Sequence, residues 1–408
     1  MALANAQPRN KGYKLNHLRS VAALRVRPGL DRLLDEVHPL IAGRRVGLVT
    51  NASAVTSEVV PAADALLASC NLTMLLSPEH GLASHEADGA HVASTVDPHT
   101  QLPVYSLYGE TKRPGADVLQ DLDVLVFDIQ DVGARFYTYV WTMSYVMEAA
   151  AEFGVPLIVL DRPNPIAGHV LEGPAIESGY ESFVGRYLLP VRHGMTVGEL
   201  ARMFNAERNL GADLHIVQMA GWQRSMWFDQ TGLPWVPPSP AMPKLETATV
   251  YPGLCLLEGT NVSEGRGTAT PFESVGAPWI DAYQLAGALN DLALPGVRFR
   301  PVFFVPSSSK YVGQTCQGVY VHVTDRQAFR PLSVGLHVIH TVRHGWPREF
   351  AWLETSWEGR PPHFDLLIGN GWVRRWIDQG QSVDDIVAHW KGTLEQFDVQ
   401  RQRYVLYR

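Results

Sequence analysis

Five short, almost uninterrupted apolar runs recur along the first half of the chain, with helical patterns between them. Because polar residues do not alternate along these runs, each predicts a strand buried on both faces, as in a parallel sheet covered by helices. The alternation of such strands with helices predicts an α/β fold with a doubly wound, Rossmann-like parallel sheet. The strand candidates are RRVGLVTN (44–51), LTMLLSPEHG (72–81), DVLVFDIQD (123–131), VPLIVLDRPN (155–164) and LHIVQM (214–219). The helix candidates cover 58–69, 138–154 and 196–208.

A proline-rich segment, TGLPWVPPSPAMP (231–243), ends this alternation, since it supports neither a helix nor a central strand. Beyond it the pattern predicts a smaller α+β domain. Its helices are expected near 280–292, 331–343 and 381–397, and its strands at 297–306 and 318–325. We therefore predict an N-terminal extension (1–35), a Rossmann-like α/β domain (36–236) and a smaller C-terminal α+β domain (237–408).

Composition narrows the class of protein. Of the 408 residues, 46% are hydrophobic and 18% are charged, as is typical of a globular protein. The formal net charge of -7 gives no basic excess for a nucleic-acid-binding face. The widely spaced Cys70, Cys255 and Cys316 lack the pattern of a disulfide framework or a zinc site.

Targeting signals are not visible in the sequence. No stretch approaches the ~20 apolar residues of a membrane helix. The N-terminal residues contain no apolar core of a signal peptide. A cytoplasmic location is therefore expected, with a periplasmic or secreted one as the alternative if an export signal has been removed.

Polar side chains follow four of the predicted strands. In an open parallel sheet, ligands bind beyond the carboxyl ends of the strands. Any one polar residue there is also explained as a helix cap or a turn residue, but the recurrence at four strand ends favours a shared binding rim. The rim candidates are Asn51, Glu79, His80, Asp128, Gln130, Asp131, Asp161, Arg162 and Asn164.

Glu79 and His80 stand out because Pro78 and Gly81 enclose them. This frame favours a tight bend that aims the side chains into a cleft, where a carboxyl group could act as a general acid. His80 could orient Glu79, act as an acid or base itself, or cap the following turn. A metal site is the alternative, but the spacing of its candidates matches no recognised ligand set. Those candidates are His80, His85, Asp88 and His91.

Two further segments contain candidate anion-binding groups. In DIQDVGARFYTY (128–139), Arg135 could clamp an anion bidentately, or pair with Asp131 one helical turn away. In SEGRGTATPFE (263–273), glycines flank Arg266 and permit a backbone nest for an anion. Glu264 in this loop could close a cleft between the two domains, a common place for a pocket.

Longer motifs give a more specific pattern: SPEHGL, LPVYSLYG, DVLVFDIQDVGARFYTY, IVLDRPNP, HGMTVGELA, TGLPWVPPSPAMP, YPGLCLLEGTNVSEGRGTATPFE and GAPWID. From about residue 40 to the C-terminus, the chain resembles the YbbC/NamZ-type exo-β-N-acetylmuramidase family. The resemblance implies a Rossmann-like domain, a smaller α/β domain and an active site in the cleft between them. It also implies release of N-acetylmuramic acid from the non-reducing ends of peptidoglycan fragments, with Glu79 as the family glutamate.

On this basis we expect Glu79 to be the general acid and His80 to support it. Asp128 or Glu264 is expected to supply the second carboxylate of the glycosidase pair, unless the N-acetyl group of the substrate is itself the nucleophile. Arg135 is expected to bind the lactyl carboxylate of N-acetylmuramic acid, with Arg266 as the alternative. The other expected substrate-binding residues are Asn51, Gln130, Asp131, Tyr137, Arg162 and Asn164.

No metal or other cofactor, nucleic acid or membrane insertion is expected. The expected partners are saccharides or muropeptides that contain N-acetylmuramic acid. Two other functions stay open: a non-catalytic protein that binds muropeptides or another anionic sugar, and a metal-dependent hydrolase that uses His80, His85 and Asp128.

Overall fold

The computed structural model describes residues 25–35, 39, 41–86, 89–90, 93–109, 111–355 and 359–408. The first half of the chain forms a seven-stranded sheet and a separate hairpin of β7 with β8. The strands are β1 (Val46–Thr50), β2 (Leu72–Ser77), β3 (Thr95–Val96), β4 (Pro103–Ser106), β5 (Val124–Asp128), β6 (Leu157–Leu160), β7 (Glu172–Ala175), β8 (Pro190–Arg192) and β9 (Leu214–Val217).

The order of the main sheet is β3-β4-β2-β1-β5-β6-β9, and its neighbours are parallel except at the β3–β4 edge. This arrangement confirms the predicted α/β fold with a doubly wound sheet. The five predicted strands are β1, β2, β5, β6 and β9. Strands β1, β5 and β6 are buried along their whole length, because apolar side chains cover both faces. The short β3 and β4 and the β7–β8 hairpin were not predicted.

The helices of the first half pack on this sheet. The predicted helices are present as α2, α4 and α5, although α2 is shorter than its pattern suggested. The capping box of α5 is formed: the Glu199 amide donates to Thr196 Oγ1 (3.3 Å), and the Thr196 amide donates to Glu199 Oε2 (3.0 Å). In the described residues of this half the helices are α1 (Gly29–Asp35), α2 (Ala62–Leu67), α3 (Ala116–Leu119), α4 (Tyr139–Phe153) and α5 (Val197–Glu207).

The second half contains an antiparallel three-stranded sheet with the order β10-β12-β11. Its strands are β10 (Ser274–Ala277), β11 (Val297–Phe304) and β12 (Cys316–Val323). Its helices are α6 (Leu245–Leu254), α7 (Ala282–Asp291), α8 (Pro331–Gly345), α9 (His363–Ile368), α10 (Trp372–Asp378), α11 (Val383–His389) and α12 (Lys391–Arg401). The helix predicted at 381–397 is two helices, α11 and α12, that meet at Trp390. The proline-rich segment contains neither a helix nor a strand, as predicted.

The two halves share a buried apolar cluster. It contains Trp141 of α4 together with Tyr251 of α6 and Phe364 of α9. The C-terminal residues also return to the main sheet, where the Tyr407 hydroxyl donates to Asp161 Oδ2 (2.6 Å). The division into domains at about residue 236 stays a prediction. In the described part of the chain, no helix is long and apolar enough to cross a membrane.

Candidate active site

A cavity of about 430 Å³ opens where the end of β2 faces the second half of the chain. One wall comes from the first half of the chain, mainly from the loops after β2 and β5 and the start of α4, and the other comes from Tyr251 of α6 and from residues that follow that helix. The side chains in its walls include Glu79, His80, Tyr108, Tyr137, Thr138, Phe183, Ser239, Tyr251, Glu258, Arg266, Phe272 and His363.

The predicted bend after β2 is present. The Gly81 amide donates to the Pro78 carbonyl (3.1 Å), which closes a four-residue turn around Glu79 and His80. His80 has a φ of 69° and Gly81 has a φ of 74°, both in the left-handed region. A residue other than glycine rarely adopts this conformation, and such residues concentrate at functional sites. The turn places both side chains in the cavity wall.

Neutral donors hold the Glu79 carboxylate, which is only 8% exposed. The Gly89 amide donates to Oε1 (3.1 Å), and the Thr138 hydroxyl donates to Oε2 (2.6 Å). His80 Nδ1 lies 2.8 Å from the Glu86 carbonyl oxygen, and since a carbonyl can only accept, Nδ1 bears the proton. These contacts fix the orientation of an acid and of a neighbouring imidazole at the mouth of β2.

The opposite wall contains a carboxylate that the sequence reasoning did not single out. Glu258 lies in a 3-10 helix (Cys255–Gly259) that directly follows α6. Its Oε1 accepts from Arg266 Nη2 (2.7 Å) and Nε (3.1 Å), and its Oε2 lies 3.9 Å from His363 Nε2. Burial alone would raise the pKa of Glu258, but the positive charge of Arg266, with His363, outweighs it and lowers the pKa to about 2. The available signal was its place in the longest family-like motif, which also contains Arg266.

Glu264, by contrast, does not line the cavity. It is 1% exposed, and its carboxylate accepts from Lys310 Nζ (2.9 Å) and the Ser309 hydroxyl (3.1 Å). Lys310 also donates to the carbonyls of Leu257 (2.8 Å) and Val262 (3.0 Å). Glu264 is therefore an anchor that ties two loops together. This placement does not fit the expected role of a second catalytic carboxylate.

Arg135 is also placed differently from the expectation. It is fully buried, and its guanidinium donates to the carbonyls of Pro174 (2.8 Å), Leu189 (2.8 Å) and Leu367 (2.7 Å). Burial lowers its pKa to about 9. With its Nη1 and Nη2 groups directed at backbone carbonyls and no exposed surface, Arg135 does not fit the expected role of lactyl clamp. The suggested pair with Asp131 one helical turn away is not seen, because residues 131–135 precede α4 and are not helical; Asp131 Oδ2 instead accepts from the Gly133 amide (2.7 Å).

Most of the other predicted rim residues lie near the topological switch point between β1 and β5. From there, β2 and β4 follow on one side of the sheet, and β6 and β9 follow on the other. Arg162 donates to both carboxylate oxygens of Asp128, from Nε to Oδ1 (2.5 Å) and from Nη2 to Oδ2 (2.8 Å). Asn51 Nδ2 donates to the carbonyl of Pro238, in the proline-rich segment (3.2 Å). The space left there is about 10 Å³, roughly the room for one water. The chain itself fills the crevice in which Rossmann-like folds usually bind ligands.

Two predicted rim amides are structural in the same way. Gln130 Nε2 donates to the carbonyls of Asp131 (2.7 Å) and Pro163 (2.8 Å). Asn164 Nδ2 donates to the Met195 carbonyl (3.0 Å) and its Oδ1 accepts from the Ile166 amide (3.2 Å). Of the predicted site residues, the structure brings Glu79, His80, Tyr137 and Arg266 together in the cavity.

The metal alternative has little geometric support in the described residues. No group of three or more His, Cys, Asp or Glu side chains there has the arrangement of a metal site. His85 Nε2 lies 3.3 Å from Glu86 Oε1, on a well-exposed ring. Asp88 and His91 lie outside the described residues.

Comparison with known proteins identifies the family. The N-terminal model of the exo-beta-N-acetylmuramidase NamZ matches residues 46–246, and the C-terminal model of the same family matches residues 249–407. The chain belongs to the NamZ family of exo-β-N-acetylmuramidases. The cavity described above is lined by residues of both matched segments, since Glu79 falls in the first and Glu258, Arg266 and His363 fall in the second.

Individual relatives agree with this assignment. The chain is 48% identical over 385 residues to the peptidoglycan beta-N-acetylmuramidase NamZ of Bacillus subtilis, which covers 94% of this chain and 92% of that protein. Two DUF1343 family proteins of Bacteroides fragilis have similar structures. One has a TM-score of 0.85 at 38% identity, covering 94% of this chain and 100% of that one. The other has a TM-score of 0.75 at 30% identity, covering 94% and 99%.

Proposed function

We propose that this NamZ-family glycosidase releases N-acetylmuramic acid from the non-reducing ends of peptidoglycan fragments, and that the reaction takes place in the cavity between its two halves. The observation that carries the proposal is the Glu79 carboxyl group, fixed in the wall of a cavity that also contains a second carboxylate, Glu258. Glycoside hydrolysis normally needs a pair of carboxyl groups on either side of the scissile bond. The volume of the cavity, about 430 Å³, falls in the range of small-molecule sites, roughly 300–1,000 Å³.

Glu79 is the general acid in this proposal. It gives its proton to the glycosidic oxygen as the bond from that oxygen to the sugar breaks. Thr138 suits this role because a hydroxyl both donates and accepts, so its contact with Glu79 persists in both protonation states. His80, with its proton fixed on Nδ1, keeps the turn around Glu79 in place.

Aromatic rings provide the surface for the sugar. Tyr137 and Phe272 pack edge-on against Tyr251, with ring centroids 5.8 Å and 4.8 Å apart. Burial raises the pKa of Tyr137 and of Tyr251 well above the usual value, so both hydroxyls stay neutral. Such rings stack on the C–H faces of a sugar and exclude water from the reacting centre.

The test measures release of N-acetylmuramic acid from two substrates, a nitrophenyl muramide and a disaccharide with N-acetylmuramic acid at its non-reducing end. Turnover of both by the wild-type protein, and its loss in Glu79→Gln with the disaccharide, are the expected results. Near-normal disaccharide hydrolysis by Glu79→Gln would show that another residue is the acid. Tight binding of the sugar by the wild-type protein without any turnover would instead support a muropeptide-binding protein.

A further inference from the structure

Two carboxylates line the cavity, one from each half of the chain, and their surroundings differ. Among the described residues that line it, Glu79 and Glu258 are the only carboxylates. Glu79 is held by an amide and a hydroxyl, both of them neutral. Glu258 is held by a guanidinium and lies close to an imidazole. A pair of carboxyl groups in unlike surroundings is the usual sign of two unlike roles in one reaction.

The cations around Glu258 limit what it can do. Arg266 and His363 hold the pKa of Glu258 well below the ordinary value of a glutamate, so Glu258 is ionised at neutral pH. So weak a base takes up a proton poorly, and Arg266 already occupies its Oε1 through two donors. What remains is a fixed negative charge in the cavity lining, on a side chain that is 22% exposed.

Arg266 is itself held in place, so the charge of Glu258 is well positioned. Its guanidinium lies over the Phe272 ring, 4.9 Å from the centroid, and its Nε lies 3.6 Å from Glu264 Oε1. Phe272 is buried and has a left-handed φ of 61°, and its amide donates to the Glu264 carbonyl (2.6 Å). The Glu264–Lys310 anchor thus supports the loop that presents Arg266 to Glu258.

We propose that Glu258 is a catalytic carboxylate that stays ionised throughout turnover and stabilises the positive charge that develops on the sugar. The inference rests on the proposed function with Glu79 as the acid. The glycosidic bond breaks with both electrons going to the leaving oxygen, which takes the proton of Glu79. Water adds its hydroxyl to the sugar carbon, directly or after the N-acetyl oxygen has closed on it, and its other proton returns to Glu79. Glu258 faces the oxocarbenium-like charge and exchanges no proton.

The test compares kcat and its pH profile in wild-type protein, Glu258→Gln and Glu258→Asp, with the nitrophenyl muramide and the disaccharide. We expect Glu258→Gln to lose about 100-fold or more in kcat with both substrates, because an electrostatic contact to the transition state is lost. The pH profile should keep its shape, since the missing group does not titrate in that range. Glu258→Asp keeps the charge and should recover a large part of the loss.

Glu148→Gln is the matched control. Glu148 accepts from Arg186 Nη2 (3.0 Å and 3.2 Å), has 25% of its side chain exposed, and lies away from the cavity lining. The Arg186 guanidinium also lies over an aromatic ring, that of Tyr145. Glu148→Gln should lower the melting temperature without changing kcat, which separates loss of an arginine–carboxylate pair from loss of catalysis.

Several results would overturn the inference. These are a kcat for Glu258→Gln within a few-fold of wild type, loss of one limb of its pH profile, or restored turnover of Glu258→Ala by azide with a glycosyl azide product. If Glu258→Gln does not fold, a folded Glu258→Asp that loses about 100-fold or more in kcat with both substrates would overturn it as well, because its charge is retained. Absence of turnover in wild-type protein would instead refute the proposed function, so the two failures are distinct.

Discussion

At one edge of the main sheet, the end of β2 opens into a cavity, whereas the ends of β1, β5 and β6 are closed by other parts of the chain. After β2, Glu79 turns into the cavity. After β1, Asn51 binds the Pro238 carbonyl, and at the end of β5, Asp128 is paired with Arg162. After β6, Asp161 accepts from the Tyr407 hydroxyl.

The difference shows that strand ends in a parallel sheet mark candidate ligand positions. Whether such a position is open to a ligand or filled by the chain itself depends on segments that are distant in the sequence. The crevice at the switch point is the usual binding place of doubly wound folds. Here the proline-rich segment, which follows the last strand of the sheet, reaches this crevice, where its Pro238 carbonyl accepts from Asn51. The open space is left at β2, where the second half of the chain supplies the opposite wall.

The largest expected effect on kcat is that of replacing Glu79, at the open end of β2. Glu79→Gln keeps the shape of the side chain but removes the proton donor, so we expect kcat for the disaccharide to fall roughly 1,000-fold. The fall should be much smaller for the nitrophenyl muramide, because its leaving group needs little protonation. Steady-state kinetics with both substrates measure this contrast. An equal fall for the two would contradict the assignment of Glu79 as the acid.

The closed end of β5 should respond in stability rather than in turnover. Asp128→Ala leaves the buried Arg162 guanidinium without its carboxylate, and breaking such a pair costs about 3–5 kcal/mol of the free energy of unfolding. Urea unfolding measures the loss, and kcat per folded molecule should fall far less than in Glu79→Gln. A stable Asp128→Ala variant with a large loss of kcat would place Asp128 back in the active site.

Asp128→Leu combined with Arg162→Met is the control for that experiment. It removes both charges and restores apolar volume, so it should recover part of the stability that Asp128→Ala loses. If the double variant is as unstable as the single one, packing around the proline-rich segment, rather than the unpaired charge, explains the loss.

The sequence predicted the parts of the molecule that local patterns determine. The main strands, α4, α5 with its capping box and the bend at Glu79 follow from apolar runs, a Thr–Glu spacing and a Pro–Gly frame. The β7–β8 hairpin and β4 are too short and irregular to give such a pattern. The helix predicted at 381–397 divides at Trp390, where no proline or glycine marks a break.

The candidate site was harder to predict because tertiary contacts decide which polar side chains line the cavity and which are bound elsewhere. Glu258 and Glu264 are both loop carboxylates in one motif, and nothing local shows that Lys310 binds the second while Arg266 binds the first. Likewise, the sequence around Arg135 is compatible with a role in binding an anion. Only the fold shows that three backbone carbonyls from distant segments accept from its Nη1 and Nη2 groups.

A smaller effect is expected at Thr138, whose hydroxyl donates to Glu79 Oε2. Thr138→Val keeps the volume but loses one hydrogen bond to a charged group, so we expect kcat to fall about tenfold, in line with roughly 1.5 kcal/mol. Thr142→Val, one turn further along α4 and away from the cavity lining, is the control and should leave kcat unchanged. Equal effects of the two variants would mean that α4 packing, rather than the contact with Glu79, is responsible.

The smallest effect concerns the closed end of β6 and appears only as a pH dependence. Burial raises the pKa of Asp161 to about 7, despite hydrogen bonds from Tyr407, Gly198 and Thr196 that favour its charged form. In the unfolded chain an aspartate titrates near 3.9. The folded protein therefore holds an extra proton between these values, and the free energy of unfolding should fall as pH rises from about 4 to about 7.

Asp161→Asn removes that titration, so its free energy of unfolding should change less than that of wild type across this pH window, as measured by urea unfolding. Tyr407→Phe removes one hydrogen bond that favours the charged carboxylate, so its decline should extend to higher pH than in wild type. A parallel pH dependence in all three proteins would mean that Asp161 does not titrate in the folded state. The contact of Tyr407 with Asp161 at the end of β6 would then be unrelated to protonation of Asp161.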